Sequence, residues 1–188
     1  MEVLLNALNQ ISSISVPLQH FLLEKAQFDT LKKNDYLIRA GTFATRLYFV
    51  TTGLLRSYVK ENEKEVTLAI VKEYQIVVSI SSFFLRLPSK GYVQAIEDCQ
   101  LISISHKDLQ FCYSNYPESN VIAREVVIKS FIESEKRETL LKIKDGTARY
   151  RATLEQFPDL VQRVPIRYLA SYLDMNFETL SRIRSRIH

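Results

Sequence analysis

The 188-residue chain has four glycines, two cysteines, three histidines and no tryptophan. Two cysteines cannot build the disulfide framework of a small secreted domain. Together with the three histidines they fall short of a four-ligand metal site unless carboxylates help. No apolar run approaches the roughly 20 residues that a membrane helix needs. The first segment, MEVLLNALNQISSIS, has no Lys or Arg ahead of its apolar residues, so it does not read as a secretory signal. What is present is 46% hydrophobic residue, with ten Phe and ten Tyr, which excludes wholesale disorder. These features predict a soluble, cytoplasmic protein with no membrane partner, built as one large domain or two small ones sharing a core.

The formal net charge is +4, and its distribution is uneven. Residues 143–188 hold eight Lys and Arg against five Asp and Glu, whereas residues 1–142 hold seventeen against sixteen. The last segment, SRIRSRIH, is the densest part. Such a basic end suits a solvated surface. It equally suits a module that displaces counterions from phosphates.

Residues 2–11 and 17–26 read as two short helices, with Leu4, Leu5, Leu8 and Ile11 at helical spacing and Pro17 in a first turn. From Phe28 to Ser105 the period changes to short β-rich runs: FDTL, DYLIRA, LYFVTTG, LLRSYVKE, KEVTLAIV, QIVVSI, GYVQAI and CQLISIS. About eight short strands separated by turn residues, among them Gly41 and Gly53, predict an antiparallel barrel or jelly roll. HKDLQFCYSNY then reads as a helix capped by Ser105, with Asp108 at the third helical position.

From Pro117 to about Lys142 nothing breaks a long helix. Its first half carries an apolar stripe of Val121, Ile128 and Ile132, with Val127, Phe131 and Ile122 beside them. A helix of some 25 residues is about 37 Å long, more than one roll can cover. A second subunit is the expected partner, with Val121, Ile128, Phe131 and Ile132 as the interface; packing on its own domain is the plainer alternative. Asp145-Gly146 ends this segment, and three or four short helices follow.

Within them, Ile166–Arg186 (IRYLASYLDMNFETLSRIRSR) has helix–turn–helix grammar. Leu169, Ala170, Leu173, Leu180 and Ile183 are placed to fill the angle between two helices. Asn176 is placed to cap the second helix, and Asp174 stands at the turn, where glycine is more usual. Glu178 and Arg182, four apart, share one face of the half that would enter a major groove. A carboxylate accepts from cytosine N4 and a guanidinium spans guanine O6 and N7. The same spacing also makes an ordinary surface ion pair of a few tenths of a kcal/mol, and the two readings are compatible. Thr179, Ser181, Arg184 and Ser185 are placed to contact phosphates or base edges, and Arg167 is added to this DNA-binding set.

With these residues the chain resembles the cyclic-AMP receptor protein/fumarate–nitrate regulator (CRP/FNR) family of bacterial transcription factors. The likeness covers nearly the whole chain. IRAGTFATRLYFVTTGLLRSYV is similar to the family's glycine-punctuated early strands, the long helix to its dimerisation helix, and LASYLDMNFETLSRIRSR to its recognition signature. The resemblance places Glu178 and Arg182 on the two main base-reading positions. It implies an α+β fold: an antiparallel β-roll with flanking helices over residues 1–113, a dimerisation helix over 114–142, and a helix–turn–helix domain over 143–188. Two departures stand out. Phe177 occupies a position where the family often has a base-contacting Arg, and PDLVQRVP leaves room for only a reduced wing hairpin.

In members that bind a cyclic nucleotide, a Gly-Glu pair and a downstream Arg-Ser/Thr-Ala hold the ribose and the phosphate. By resemblance these fall near Val78-Ser79 and Ser89-Lys90-Gly91, and neither is present. Lys90 is at best a point-charge substitute for Arg, and Arg86 is another nearby cation. The candidate pocket residues are therefore Val78, Ser79, Ser81, Ser82, Arg86, Lys90 and Tyr92, in a segment suited to a filled pocket or an apolar ligand. Cys99 and Cys112 cannot supply an iron–sulfur cluster, and a haem would need axial ligands, for which His20 and His106 are available. No cofactor is expected, and no strand run carries the His set of a cupin-type enzyme, so the chain is not expected to be an enzyme.

The expectation is a homodimeric, sequence-specific transcriptional regulator that does not bind cyclic AMP, with the roll as a sensor or a scaffold. Its partners are double-stranded DNA with a near-palindromic operator, a second copy of the chain and, through the resemblance, RNA polymerase. The alternatives are a regulator responsive to a cyclic nucleotide or other small ligand, and an interaction module that binds no DNA.

Overall fold

The computed structural model describes residues 1–187. Two helices, α1 (Glu2–Ile11) and α2 (Val16–Lys25), lead into strands β1 (Gln27–Leu31), β2 (Tyr36–Ile38), β3 (Arg46–Thr52), β4 (Leu55–Glu61), β5 (Lys64–Val71) and β6 (Ile76–Val77). A short helix, α3 (Ile80–Leu85), precedes β7 (Tyr92–Ala95) and β8 (Cys99–Ser105). Then come α4 (His106–Asn115), α5 (Pro117–Leu141), α6 (Gly146–Gln156), α7 (Pro158–Arg163), α8 (Ile166–Tyr172) and α9 (Phe177–Ile187).

The strands form two antiparallel four-stranded sheets, β1-β8-β3-β6 and β2-β7-β4-β5. Alternation along each strand sends one set of side chains inward. Ile38, Val50, Leu55, Val93, Ala95 and Leu101 meet in a buried core between the sheets. Phe83 of α3, fully buried, enters the same core. A second cluster, built on Ile14, Leu18, Leu22, Ile104, Cys112 and Ile122, fastens α2, α4 and the start of α5 to β8. Burial of each such Val, Leu, Ile or Phe side chain stabilises the fold by about 1.5–3 kcal/mol.

Local chemistry sets the helix starts. Ser15, Ser105 and Asp145 cap α2, α4 and α6, their side-chain oxygens accepting from Leu18 N (3.4 Å), Asp108 N (3.1 Å) and Ala148 N (2.7 Å). The long helix spans 25 residues, as its unbroken sequence predicts. Ile122 turns inward to the roll, whereas Val121, Val127, Ile128, Phe131 and Ile132 stay exposed.

Two segments depart from their sequence pattern. QIVVSI reads as a strand, but only Ile76 and Val77 pair with β3, and the chain turns into α3 at Ser79. Ser79 C=O accepts from Phe83 N (2.8 Å) in the first turn of α3, and Ser82 Oγ accepts from the distant Ala44 N (2.7 Å). The segment expected to hold a reduced wing forms no strand among the described residues: PDLVQR is helix α7, with Pro158 at its start and Asp159 in its first turn.

The last four helices share one core of Tyr150, Leu160, Val161, Val164, Leu169, Leu173, Leu180 and Ile183. Leu54 and Ile96 of the roll belong to the same cluster, so this end of the chain is seated on the β2-β7-β4-β5 sheet.

Candidate nucleic-acid interface and the cassette of the roll

Helices α8 and α9 are joined by a turn that can be followed bond by bond. Asp174 adopts the left-handed conformation, with φ of 52°. Met175 N donates to Ala170 C=O (2.9 Å) and Asp174 N to Ser171 C=O (3.3 Å), the bonding of a Schellman cap with Asp where Gly is usual. Arg149 fixes the turn from α6, donating to the carbonyls of Leu173 (2.7 Å) and Asp174 (3.2 Å). Leu180 and Ile183 bury one face of α9 against α8 and α6, which leaves the opposite face to solvent.

That opposite face carries the residues singled out by the sequence. Asn176, Phe177, Glu178, Arg182 and Ser185 are exposed, and Thr179, Ser181 and Arg184 are half-buried at its margins. Glu178 and Arg182 form no ion pair or side-chain hydrogen bond among the described residues, so the intrahelical pair that their spacing allows is not made. Phe177 is 47% exposed. Arg167, also exposed, lies over the Tyr168 ring, 4.4 Å from its centroid, and donates to the Tyr168 hydroxyl. The face can therefore present one carboxylate, several guanidinium groups and short hydroxyls to a ligand, with Arg184 and Arg186 in the last turn.

The cassette residues come together only in part. Ser79 Oγ bonds Ser89 Oγ (3.0 Å), Ser89 Oγ donates to Gly91 C=O (3.0 Å), and Ser82 is buried under Ala44 N–H. The Ser79 and Ser89 hydroxyls are thus used within the loop and that of Ser82 by the chain ahead of β3. Val78 packs on the inter-sheet core and Ser81 is half-buried beside it. Arg86, left-handed at φ of 57°, and Lys90 are exposed. Tyr92 stands on the other face of β7 from Val93, stacked on Tyr58 with centroids 5.0 Å apart, so it is not brought to the cassette. Phe83 fills the core, no carboxylate lies between Val78 and Tyr92, and no glycine stands at Val78-Ser79, so the segment lacks the acidic residue and the helix-start glycine that the resemblance assigns to a ribose and its phosphate.

His106, at the start of α4, faces the Phe83 ring (5.1 Å between centroids), and burial lowers its pKa. Burial also pushes both thiols up to about 11: Cys99 with added repulsion from Glu97, and Cys112 with that from Asp108. Neither is a thiolate at neutral pH.

Sequence reasoning missed Arg56, Arg137, Arg163 and Ser171, which join the α6–α9 unit to the roll. Their partners across that junction lie 35 or more residues away along the chain, so no local spacing marks them.

The model of the cyclic nucleotide-binding domain family matches residues 28–116, which are β1 to β8 and α4. No curated protein sequence matches the chain. Among solved structures, the c-di-GMP-responsive global regulator CLP of Xanthomonas campestris superposes with a TM-score of 0.72 at 18% identity, over 92% of this chain and 91% of that one. FixK2 of Bradyrhizobium japonicum gives 0.71 at 19%, over 87% and 84%. A protein of Eubacterium rectale assigned to the CRP/FNR family of transcriptional regulators gives 0.72 at 15%, over 90% and 82%. Residues 28–116 are thus similar to the cyclic nucleotide-binding domain family, and the chain shares its fold with these three solved structures, one of them assigned to the CRP/FNR family.

Proposed function

We propose that the chain is a homodimeric, sequence-specific DNA-binding transcriptional regulator acting in the cytoplasm, whose roll does not bind a cyclic nucleotide. The observation that carries this reading is the solvent face of α9, where Glu178 and Arg182 project with no side-chain partner among the described residues from a helix that shares its core with α8. Arg182 would span guanine O6 and N7, and Glu178 would accept from cytosine N4. Asn176, Phe177, Thr179, Ser181, Arg184, Ser185 and Arg167 would flank them on phosphates and base edges. Val121, Ile128, Phe131 and Ile132, exposed in the monomer, would pair the long helices of two copies. The working division is residues 1–113, 114–142 and 143–188 for roll, dimer helix and DNA-binding unit.

Two copies set one helical turn apart would read a near-palindrome. The match of residues 28–116 to a cyclic nucleotide-binding family favours a second reading, in which a cyclic nucleotide or another small ligand acts through the roll. One experiment separates them. Purified protein is challenged with random duplex DNA and titrated calorimetrically with cyclic AMP. The expected result is enrichment of near-palindromic sites without ligand, and no heat of binding. Tight cyclic AMP binding, or enrichment only in its presence, supports the second reading instead.

A further inference from the structure

β5 is an edge strand, yet at Thr67 its backbone is not free. Thr67 N donates to Ser171 Oγ of α8 (2.8 Å), and Ser171 Oγ in turn donates to Glu65 C=O (2.8 Å), so one hydroxyl closes two positions of the open edge. Thr67 C=O accepts from Arg137 Nη2 of α5 (3.1 Å), and the same nitrogen donates to Tyr172 C=O at the end of α8 (3.0 Å). That carbonyl is one of the four a helix leaves unsatisfied, and a cation there also opposes the helix dipole. Roll, long helix and helix–turn–helix thus meet at one residue. Beside this junction Arg56, 2% exposed, lies between the rings of Tyr58 (4.1 Å) and Tyr168 of α8 (3.7 Å) and is held by Gln94 Oε1 (2.9 Å).

We propose that Arg137 and Ser171 are positioning residues for DNA reading. They clamp α8 to the edge of β5 and to α5, so the chain's own contacts set the angle between α9 and the dimer axis, with no ligand in the roll. The inference rests on the reading of α9 as the DNA-reading helix. α9 shares its core with α8, so an α8 that cannot turn carries a reading face that cannot turn. The exposed stripe of α5 lies on the same helix as Arg137, which makes the connection from one reading face to the other continuous. Arg137 Nε and Thr67 Oγ1 are buried at this junction without a hydrogen-bond partner among the described residues. That cost marks a contact kept for the geometry it fixes.

A fixed angle makes binding depend on the distance between half-sites, because both copies gain from simultaneous engagement only when the geometry matches. The test compares the wild type with Arg137→Ala, Ser171→Ala and Arg137→Lys on selected operators, on the same operators with the half-sites moved apart by a few base pairs, and on single half-sites. The wild type should lose on the order of a hundredfold in affinity on the altered spacing. The two Ala variants should lose less than about tenfold, with unchanged affinity for a single half-site, and Arg137→Lys should restore part of the discrimination. Hydrogen exchange of the Thr67 amide, measured without DNA, should be slow in the wild type and fast in Ser171→Ala. DNA bound with an unchanged spacing preference in the Ala variants overturns the clamp alone, as does a fast Thr67 amide in the wild type. A protected Thr67 amide in a protein that binds no duplex overturns the reading of α9, and the positioning role with it.

Discussion

At Gly53 the backbone takes φ of 93°, and a Cβ added there would stand 2.4 Å from the carbonyl oxygen of Asp98 and 2.7 Å from Sγ of Cys99. At Gly41, with φ of 83°, nothing lies within 4 Å. Gly53 is therefore required twice, by conformation and by space, and Gly41 once. Gly53→Ala should cost about 3 kcal/mol or more in urea unfolding, since backbone strain and a clash with main chain add. A loss under about 1 kcal/mol would mean that the 97–99 turn can retreat. Both glycines were legible in the sequence as turns of the roll. The abutment of Gly53 on Asp98 was not, because it joins residues distant along the chain. Asp174 shows the converse: its place between two apolar helices marked the turn, and the left-handed conformation follows from the same local pattern.

Among the elements, the long helix was the most legible, since nothing between Pro117 and Leu141 interrupts it. Periodicity also marked its apolar stripe, but not that Ile122 would leave the stripe for the roll while Phe131 stays 71% exposed. Only packing decides between neighbours a quarter-turn apart. Phe131→Glu should leave the fold intact, because the ring makes little contact within the monomer. It should weaken self-association by about 2 kcal/mol or more, in the range of an aromatic interface anchor. Sedimentation equilibrium checks this, and an unchanged dimer constant would move the interface elsewhere. QIVVSI and PDLVQR were the least legible elements. The first is an apolar run whose period suits strand or helix equally, and the chain turns into α3 where Phe83 packs into the inter-sheet core. The second is too short to carry a period, and Pro158 starts a helix there.

Across the whole molecule, the order of roll, long helix and helix–turn–helix was legible because each has its own period. How the last unit sits on the first was not, because that depends on side chains scattered over the chain. Arg163 of α7 is the most polar of these ties, bidentate to Glu73 (2.7 and 3.0 Å) and to Glu97 (2.6 and 3.1 Å) on the roll. The guanidinium holds the Glu73 carboxyl at about 2, against 4.5 for a free one, with burial opposing and the Gly53 amide assisting. The unfolded chain therefore binds the extra proton between these two values. The stabilisation is complete above pH 4.5 and is lost as pH falls toward 2. Wild-type thermal stability should fall across this window more steeply than that of Glu73→Gln. Parallel pH profiles would show that the tie contributes nothing to folding.

The account turns on the solvent face of α9, and substitution at Arg182 tests it most directly. Affinities of the wild type and Arg182→Ala are measured at fixed salt on a selected operator, on operators altered at single positions, and on unrelated duplex. The account predicts a loss of about 1–3 kcal/mol per half-site on the operator, with relaxed preference at one base position and nearly unchanged binding to unrelated DNA. Equal operator affinity with the sequence preference intact would contradict it.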